Sequence, residues 1–98
     1  MSRTTAIASG SLAAGTTVLF TGRVFVNSIQ IVGDGTNAAS VVVYDNTAGS
    51  GKQIAAVGIP AGQTHDAIAY PSALRCDIGL TVVVTGTGGA AYIGYGAA

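Results

Sequence analysis

The sequence predicts an all-β protein, a single antiparallel β-sandwich of jelly-roll-like or immunoglobulin-like topology with about eight short strands. Three observations predict this fold. The 98 residues include 15 Gly, no Glu and a single Met, a composition that disfavours helices. Short stretches rich in Val, Ile, Thr and aromatic residues recur along the chain. Turn residues separate these stretches at intervals of about 8–12 residues, and no helical segment lies between them.

The first half of the chain contains four candidate strands, in residues 4–9, 16–21, 23–32 and 39–44. Residues 1–12 form either an extended N-terminal arm or an edge strand of a single domain that spans residues 1–98. Residues 33–37 (GDGTN) predict a turn. The stretch 39–44 is apolar on both faces at its centre, which predicts a central strand that is covered on two sides.

The long stretch 23–32 does not alternate regularly. Val24 and Val26 fall on one face of a regular strand, whereas Ile29 and Ile31 fall on the opposite face. A strand with period two cannot bury both pairs against one core. An irregularity at Asn27-Ser28 returns all four side chains to one face, so we predict a β-bulge there.

The second half contains five further candidates, in residues 52–57, 66–70, 74–78, 81–85 and 90–95. We expect 52–57 to return along 39–44 as a hairpin, and 81–85 and 90–95 to form a final hairpin. Pro60 and Pro71 interrupt strand pairing, because proline donates no ladder hydrogen bond. The predicted core consists of the inward-facing apolar residues Phe20, Val24, Ile31, Val41, Val43, Ile54, Val57, Ile68, Leu80, Val82, Val84 and Ile93.

Charge is scarce in this sequence. Charged residues make up 8% of the chain, against about 25% in an ordinary soluble domain, and four basic residues match four Asp. This balance argues against a nucleic-acid partner and against disorder, and the apolar stretches are too short for a membrane span. The N-terminus lacks the apolar region of a signal peptide, which indicates assembly in a reducing cytoplasm. A neutral surface of small residues favours a subunit that neighbours cover over a monomer with a Thr/Ser-rich coat.

Residues 46–53 partly match the phosphate-binding pattern G-x-x-x-x-G-K-[ST]. Asn46 stands at the first Gly, Gln53 stands at the Ser/Thr position, and Pro60 leaves no room for the helix that the motif requires. We therefore predict a hairpin loop here and no nucleotide site.

The remaining polar residues give no catalytic or metal-binding pattern. Asp34, Asn37, Asp45 and Asn46 offer oxygens to a calcium ion, but without calcium-loop spacing Asx turns explain them better. His65 is the only His, and no nucleophile elbow accompanies it. The single Cys76 cannot form an intramolecular disulfide and is expected to be buried and inert. The sequence therefore predicts no enzyme, no metal site and no cofactor.

Candidate interface residues are the four tyrosines and the histidine. Tyrosine is enriched in protein interfaces and also forms platforms for sugars. Because Tyr92 and Tyr95 have opposite parity on one strand, at most one of them faces outward there. The residues assigned to an interface are Tyr44, Tyr70, Tyr92, Tyr95 and His65.

Four segments carry a resemblance to a known group: 29–39 (IQIVGDGTNAA), 41–46 (VVVYDN), 79–86 (GLTVVVTG) and 91–95 (AYIGY). In these segments the chain resembles small β-sandwich virion proteins of tailed bacteriophages, among them head decoration (cement) proteins. The resemblance implies a non-enzymatic structural protein, assembled in the host cytoplasm, which cements the capsid exterior between shell subunits. Its implied partners are the major capsid protein or other virion subunits and its own copies, as a trimer or dimer. The alternative is a glycan- or host-binding β-sandwich module of a phage fibre or adhesin.

Overall fold

A computed structural model of the protein describes residues 7–97, apart from the side chains of residues 71 and 97. Within these residues the chain forms antiparallel strands, and none of it is a helix that could cross a membrane. The strands are β1 (Ile7–Ala8), β2 (Leu12–Ala13), β3 (Gly15–Thr21), β4 (Val24–Val32), β5 (Ala39–Asp45), β6 (Lys52–Ile59), β7 (His65–Cys76), β8 (Gly79–Thr85) and β9 (Ala90–Ala97).

The strands form two sheets that pack face to face. Sheet A has the order β1-β9-β4-β7, with β2 also paired to β9, and sheet B has the order β3-β8-β5-β6. Because β1 and β2 both pair with β9, they make up one interrupted edge strand. If β1 and β2 are counted together as the first strand, the chain has eight strands. Their order is then 1-8-3-6 in sheet A and 2-7-4-5 in sheet B, which is the strand order of a jelly roll. The predicted sandwich is confirmed, and its topology is the jelly-roll alternative.

The interrupted edge strand is held at its break by Ser9. The Ser9 N–H donates to the Ile93 carbonyl oxygen at 2.9 Å, and the Ile93 N–H donates to Ser9 Oγ at 2.9 Å. The side-chain hydroxyl thus replaces a backbone acceptor between β1 and β2. Of the predicted arm or edge strand over 1–12, residues 7, 8 and 12 pair with β9 at the edge of sheet A, and residues 1–6 lie outside the described residues.

One predicted hairpin is wrong. The hairpin of 39–44 with 52–57 is confirmed as β5 and β6, but β8 and β9 lie in different sheets. The connection between them contains Gly86 and Gly88, both with positive φ, and carries the chain across the sandwich. Leu80 and Val82 of sheet B and Ile93 of sheet A then all belong to the core between the two sheets. A turn that crosses between sheets and a turn that closes a hairpin use the same glycine-rich residues, so local sequence does not separate them.

Most of the predicted core is buried. Of the predicted set, Phe20 and Ile54 are only partly buried, and Ile68 is wrong, because it lies on the edge strand β7 and is 38% exposed. Central strand β5 buries Val41 and Val43, but its outer face is half-buried and not covered on two sides. The buried apolar residues missing from the predicted core are Val26, Ile29, Ala39, Ala55, Ile59, Ala91 and Cys76, of which Cys76 alone was separately expected to be buried.

The predicted bulge in β4 is confirmed. The register of β4 shifts between Val26 and Ser28 against both of its neighbours, β7 and β9. As a result Val24, Val26, Ile29 and Ile31 are all 0% exposed. At the same level β7 leaves the ladder for residues 70–73, since its pairing passes directly from Leu74 to Ala69. This excursion contains Pro71, which an edge strand tolerates.

Deletion of Asn27 is expected to remove the bulge and turn Ile29 and Ile31 to the outer face. Each buried side chain of this size contributes about 1.5–3 kcal/mol. The deletion should therefore lower the free energy of unfolding by several kcal/mol, out of about 5–15 kcal/mol for a typical domain. Urea denaturation measures the loss. Asn27→Ala keeps the residue count and is the matched control, and equal midpoints for the two variants would contradict the role of the bulge.

Candidate interaction surfaces

The charged side chains lie at the two ends of the sandwich. The basic end is the end at which β4, β6 and β8 begin, and it carries Arg23, Asp45, Lys52, Arg75 and Asp77. The acidic end is the opposite one, and it carries Asp34, Asp66 and His65. The remaining charged residue, Arg3, lies outside the described residues. The broad faces between the two ends are consequently almost free of charge within residues 7–97.

Asp45 stabilises the basic end by accepting backbone hydrogen bonds. Its carboxylate is 5% exposed and accepts hydrogen bonds from the backbone N–H groups of Asp77, Ile78 and Gly79, at 3.0, 2.9 and 3.4 Å. Burial alone raises the pKa of Asp45, but the three N–H donors, with a smaller effect of Lys52, hold that pKa below its usual value. Asp45 therefore ties the end of β5 to the turn between β7 and β8.

Asp34 forms an Asx turn at the acidic end. Its carboxylate accepts from the Thr36 and Asn37 N–H groups, each at 2.8 Å, and from Asn37 Nδ2 at 2.9 Å. The backbone hydrogen bonds from Asn37 and Thr36 lower the pKa of Asp34. Asp34 and Asp45 thus lie at opposite ends of the molecule, so the calcium site considered from the sequence does not assemble. Within residues 7–97 no group of three His, Cys, Asp or Glu side chains is placed to hold a metal ion.

Cys76 and His65 are at opposite ends of the same strand, β7, so they do not form a catalytic pair. Cys76 is 0% exposed, and burial, reinforced by the charges of Asp45 and Asp77, raises the pKa of its thiol to about 11. The thiol is therefore protonated and inaccessible, as predicted.

The loop of residues 46–51 folds back onto the outer face of sheet B. β5 and β6 pair as a hairpin without any helix, so the predicted hairpin loop is confirmed. Thr81 Oγ1 donates to the Asn46 carbonyl oxygen at 2.7 Å. Gly49 lies so close to the sheet that a Cβ on it would stand 2.9 Å from Val83 Cγ2. Residues 47–51 are exposed and uncharged, and we call them the shoulder.

Beyond the shoulder, the same face has a shallow hollow that is lined on its outer side by one row of small residues. It lies toward the acidic end over β5, β6 and β8, and its volume is about 340 Å³. Ser40, Gly58 and Thr85 face one another across the strands there, and their small side chains create the depression. Within residues 7–97 the outer face of sheet B carries no charged residue; it consists of Thr16, Val18, Ser40, Val42, Tyr44, Gln53, Ala56, Gly58, Thr81, Val83 and Thr85.

The outer face of sheet A has a different character. A shallow groove of about 210 Å³ runs beside the interrupted edge strand and is lined by Tyr92, Gln30, Ser28 and Ser9, among others. Tyr92 pairs with Gln30 across the strands and is 40% exposed. A Cβ on Gly94 would stand 2.5 Å from Ser28 Oγ, so a larger residue at this position requires the Ser28 hydroxyl to rotate away.

The five predicted interface residues do not come together. Tyr92 is exposed on sheet A, and His65 is exposed at the acidic end. Tyr70 and Tyr95 pack against the core instead, and Tyr44 is half-buried on sheet B. The candidate surface that sequence reasoning missed is the outer face of sheet B. The sequence shows only that the outward-facing positions of each of these strands are uncharged. These positions form one surface because β8 pairs with β5, and that pairing could not be predicted.

Comparison with known protein families, with curated proteins and with solved structures finds no match to the chain. The surfaces described above are therefore the basis for a functional proposal.

Asp45→Ala is expected to lower the free energy of unfolding by about 2–4 kcal/mol at neutral pH, because three N–H groups lose a charged acceptor. Stabilisation by Asp45 is present above the ordinary Asp pKa of 3.8 and is lost as the pH falls through its lower folded value. Denaturation at a series of pH values should therefore show a weaker acid dependence in the variant. The control is Asp66→Ala, which removes an exposed carboxylate that accepts a hydrogen bond from the N–H of its neighbour Ala67. Equal acid dependence in the two variants would contradict the role of Asp45.

Proposed function

We propose that the chain is a non-enzymatic virion protein that decorates the exterior of a phage capsid and cements neighbouring shell subunits. The observation that carries this proposal is the confinement of charge to the two ends of the sandwich. The outer face of sheet B carries apolar, hydroxyl, amide and small side chains, and the outer face of sheet A carries Tyr92 and the amide of Gln30 at its middle, with Arg75 at its basic end.

Such faces are suited to burial against other subunits. Burying a charged side chain costs several kcal/mol unless it is paired, and the cores of protein interfaces are depleted in charge. Threonine, alanine and glycine also lose little side-chain freedom when a partner covers them. The end charges include an exposed pair, Arg75 Nε to Asp77 Oδ1 at 3.1 Å, which contributes little to stability and keeps the ends hydrated.

The dimensions and topology support the same role. The molecule measures 44 × 29 × 18 Å, so it is a flat plate with two broad sides. These dimensions are compatible with a position over the junction between larger subunits, where one broad side would contact each of them. The jelly roll is an architecture that viral capsid proteins use, although the same architecture also serves lectins and enzymes.

We assign contact with the shell to the outer face of sheet A. It presents Tyr92, an amphipathic side chain that favours interfaces, beside the amide of Gln30. The groove around them lets a side chain or loop of the shell subunit sit against the sheet.

Particles purified from infected cells are expected to contain the chain in copy numbers comparable to the shell subunit, as measured by quantitative mass spectrometry. Tyr92→Arg should reduce its incorporation at least tenfold, because the variant places an unpaired charge in the contact. Ala61→Arg, at an exposed turn outside both faces, is the control and should be incorporated normally. Absence of the chain from particles, or a copy number far below that of the shell subunit, would overturn the proposal.

A second candidate is a glycan-binding module of a fibre or adhesin, and the groove at Tyr92 is the observation that favours it. An aromatic ring with an adjacent amide and hydroxyl is the chemistry that holds a sugar ring. Glycan-array binding that Tyr92→Ala abolishes would support this candidate. A blank array at high protein concentration would exclude it.

A further inference from the structure

We propose that residues 7–13 exchange between copies of the chain, so that the N-terminal edge strand of one copy completes sheet A of a neighbouring copy. These residues comprise β1, β2 and the break between them, and we call them the edge segment. This inference deepens the homo-oligomer of the proposed function and rests on that function for its biological role. The exchange itself is independent of any capsid.

The edge segment is held to its own chain by few contacts. Its strand pairing within residues 7–97 is with β9 alone, through Ile7 and Ala8 at one end and Leu12 and Ala13 at the other. Of its residues, only Leu12 and Ser9 are half-buried, and the rest are exposed. The same segment of a second copy can make every one of these contacts, so the exchange loses none of them.

A single residue connects the edge segment to sheet B. β2 ends at Ala13 in sheet A and β3 begins at Gly15 in sheet B, so the chain changes sheets at Ala14. Gly15 has a φ of 131°, which L side chains rarely adopt. A connection this short holds a sharp bend in the closed form, and an extended connection to a second copy relieves it. Short, strained connections favour exchange between copies for this reason.

Two residues of the edge segment fix its register on β9. Leu12 lies opposite the buried Ala91 and packs against the core at the edge of the sandwich. The Ser9 N–H donates to the Ile93 carbonyl oxygen, and Ser9 Oγ accepts from the Ile93 N–H. An incoming segment therefore occupies the same place as the segment that it displaces. The exchange replaces an edge strand and adds no strand to an irregular edge.

The exchange makes the groove at Tyr92 a site shared by two copies. Ala8, Ser9 and Gly10 of the edge segment line this groove together with residues of β4 and β9, including Gln30 and Tyr92. In the exchanged form the first three residues belong to the neighbouring copy. The surface that we assign to contact with the shell is then completed by a second copy of the chain.

Disulfide trapping tests the exchange. Ala13→Cys with Ala90→Cys places thiols on directly paired residues of β2 and β9, while the native Cys76 is buried and does not interfere. Directly paired residues of antiparallel strands have Cα atoms about 4.5–5.5 Å apart, which a disulfide spans. After refolding at high concentration and mild oxidation, a non-reducing gel should show chains linked to one another. Without exchange, the bridge forms only within single chains.

Val42→Cys with Ala56→Cys is the control pair. These residues are directly paired in the hairpin of β5 and β6, which lies outside the edge segment. Their bridge should form within single chains at every concentration. Equal amounts of linked chains from the two pairs would overturn the inference, because association without exchange would then explain the links.

Substitution of Gly15 in the Ala13→Cys, Ala90→Cys chain tests the connection. Gly15→Ala disfavours the closed bend through its φ alone, because nothing beyond its chain neighbours lies within 4 Å of the added Cβ. It should raise the fraction of linked chains about fivefold or more at the same concentration. Gly62→Ala is the matched control, since Gly62 also has a positive φ, 93°, and open space, but lies between β6 and β7. It should leave the linked fraction unchanged.

Insertion of Gly-Gly-Ser after Ala14 should have the opposite effect and lower the linked fraction, because a longer connection relieves the bend within one chain. Bridges confined to single chains at the highest concentration, with and without Gly15→Ala, overturn the inference. A linked fraction that the insertion does not lower overturns it as well. Because the experiment uses no particles, either failure leaves the capsid role to be judged by the particle measurement alone.

Discussion

The structure depends on one constraint: successive side chains of a β-strand point to opposite faces, but only one face of each sheet packs against the core. Strand β4 lies inside sheet A and contributes four fully buried side chains, on both sides of Asn27. Without the extra residue at that point, half of them would face outward. The bulge therefore sets the register of β4 against β7 and β9 together, and with it the alignment of the sheet over its partner.

A considerable part of this arrangement could be predicted from the sequence. The parity conflict between Val26 and Ile29 is a local feature, so the bulge could be predicted from the sequence alone. The pairing of β5 with β6 was predictable for the same reason, because a short loop joins them. The placement of β9 was not, since its partners β1 and β4 are distant in sequence and its nearest neighbour in the chain, β8, belongs to the other sheet.

The same limit applies to the surfaces. Tyrosine is a reasonable marker of interfaces, but residue type does not report the direction of a side chain, and Tyr70 and Tyr95 face the core. The uncharged face of sheet B arises from residues on four strands, none of which is distinctive alone. Only the scarcity of charge, a property of the whole chain, pointed to covered surfaces. The structure shows that the charged residues lie at the two ends of the sandwich, so the two broad faces are the surfaces with little charge.

The four edge strands of the sandwich share a further property. β1 and β2 are broken at Ser9, β7 leaves its ladder over residues 70–73, β3 has an extra residue at Leu19, and β6 has one at Ile54. Irregular edges are poor templates for strand addition, which is the usual route from a weakly charged β protein to fibrils. This chain has few of the charged side chains that oppose edge-to-edge association in most soluble domains. Its irregular edge strands oppose that association instead. Strand addition at either edge of each sheet is therefore disfavoured by the backbone itself.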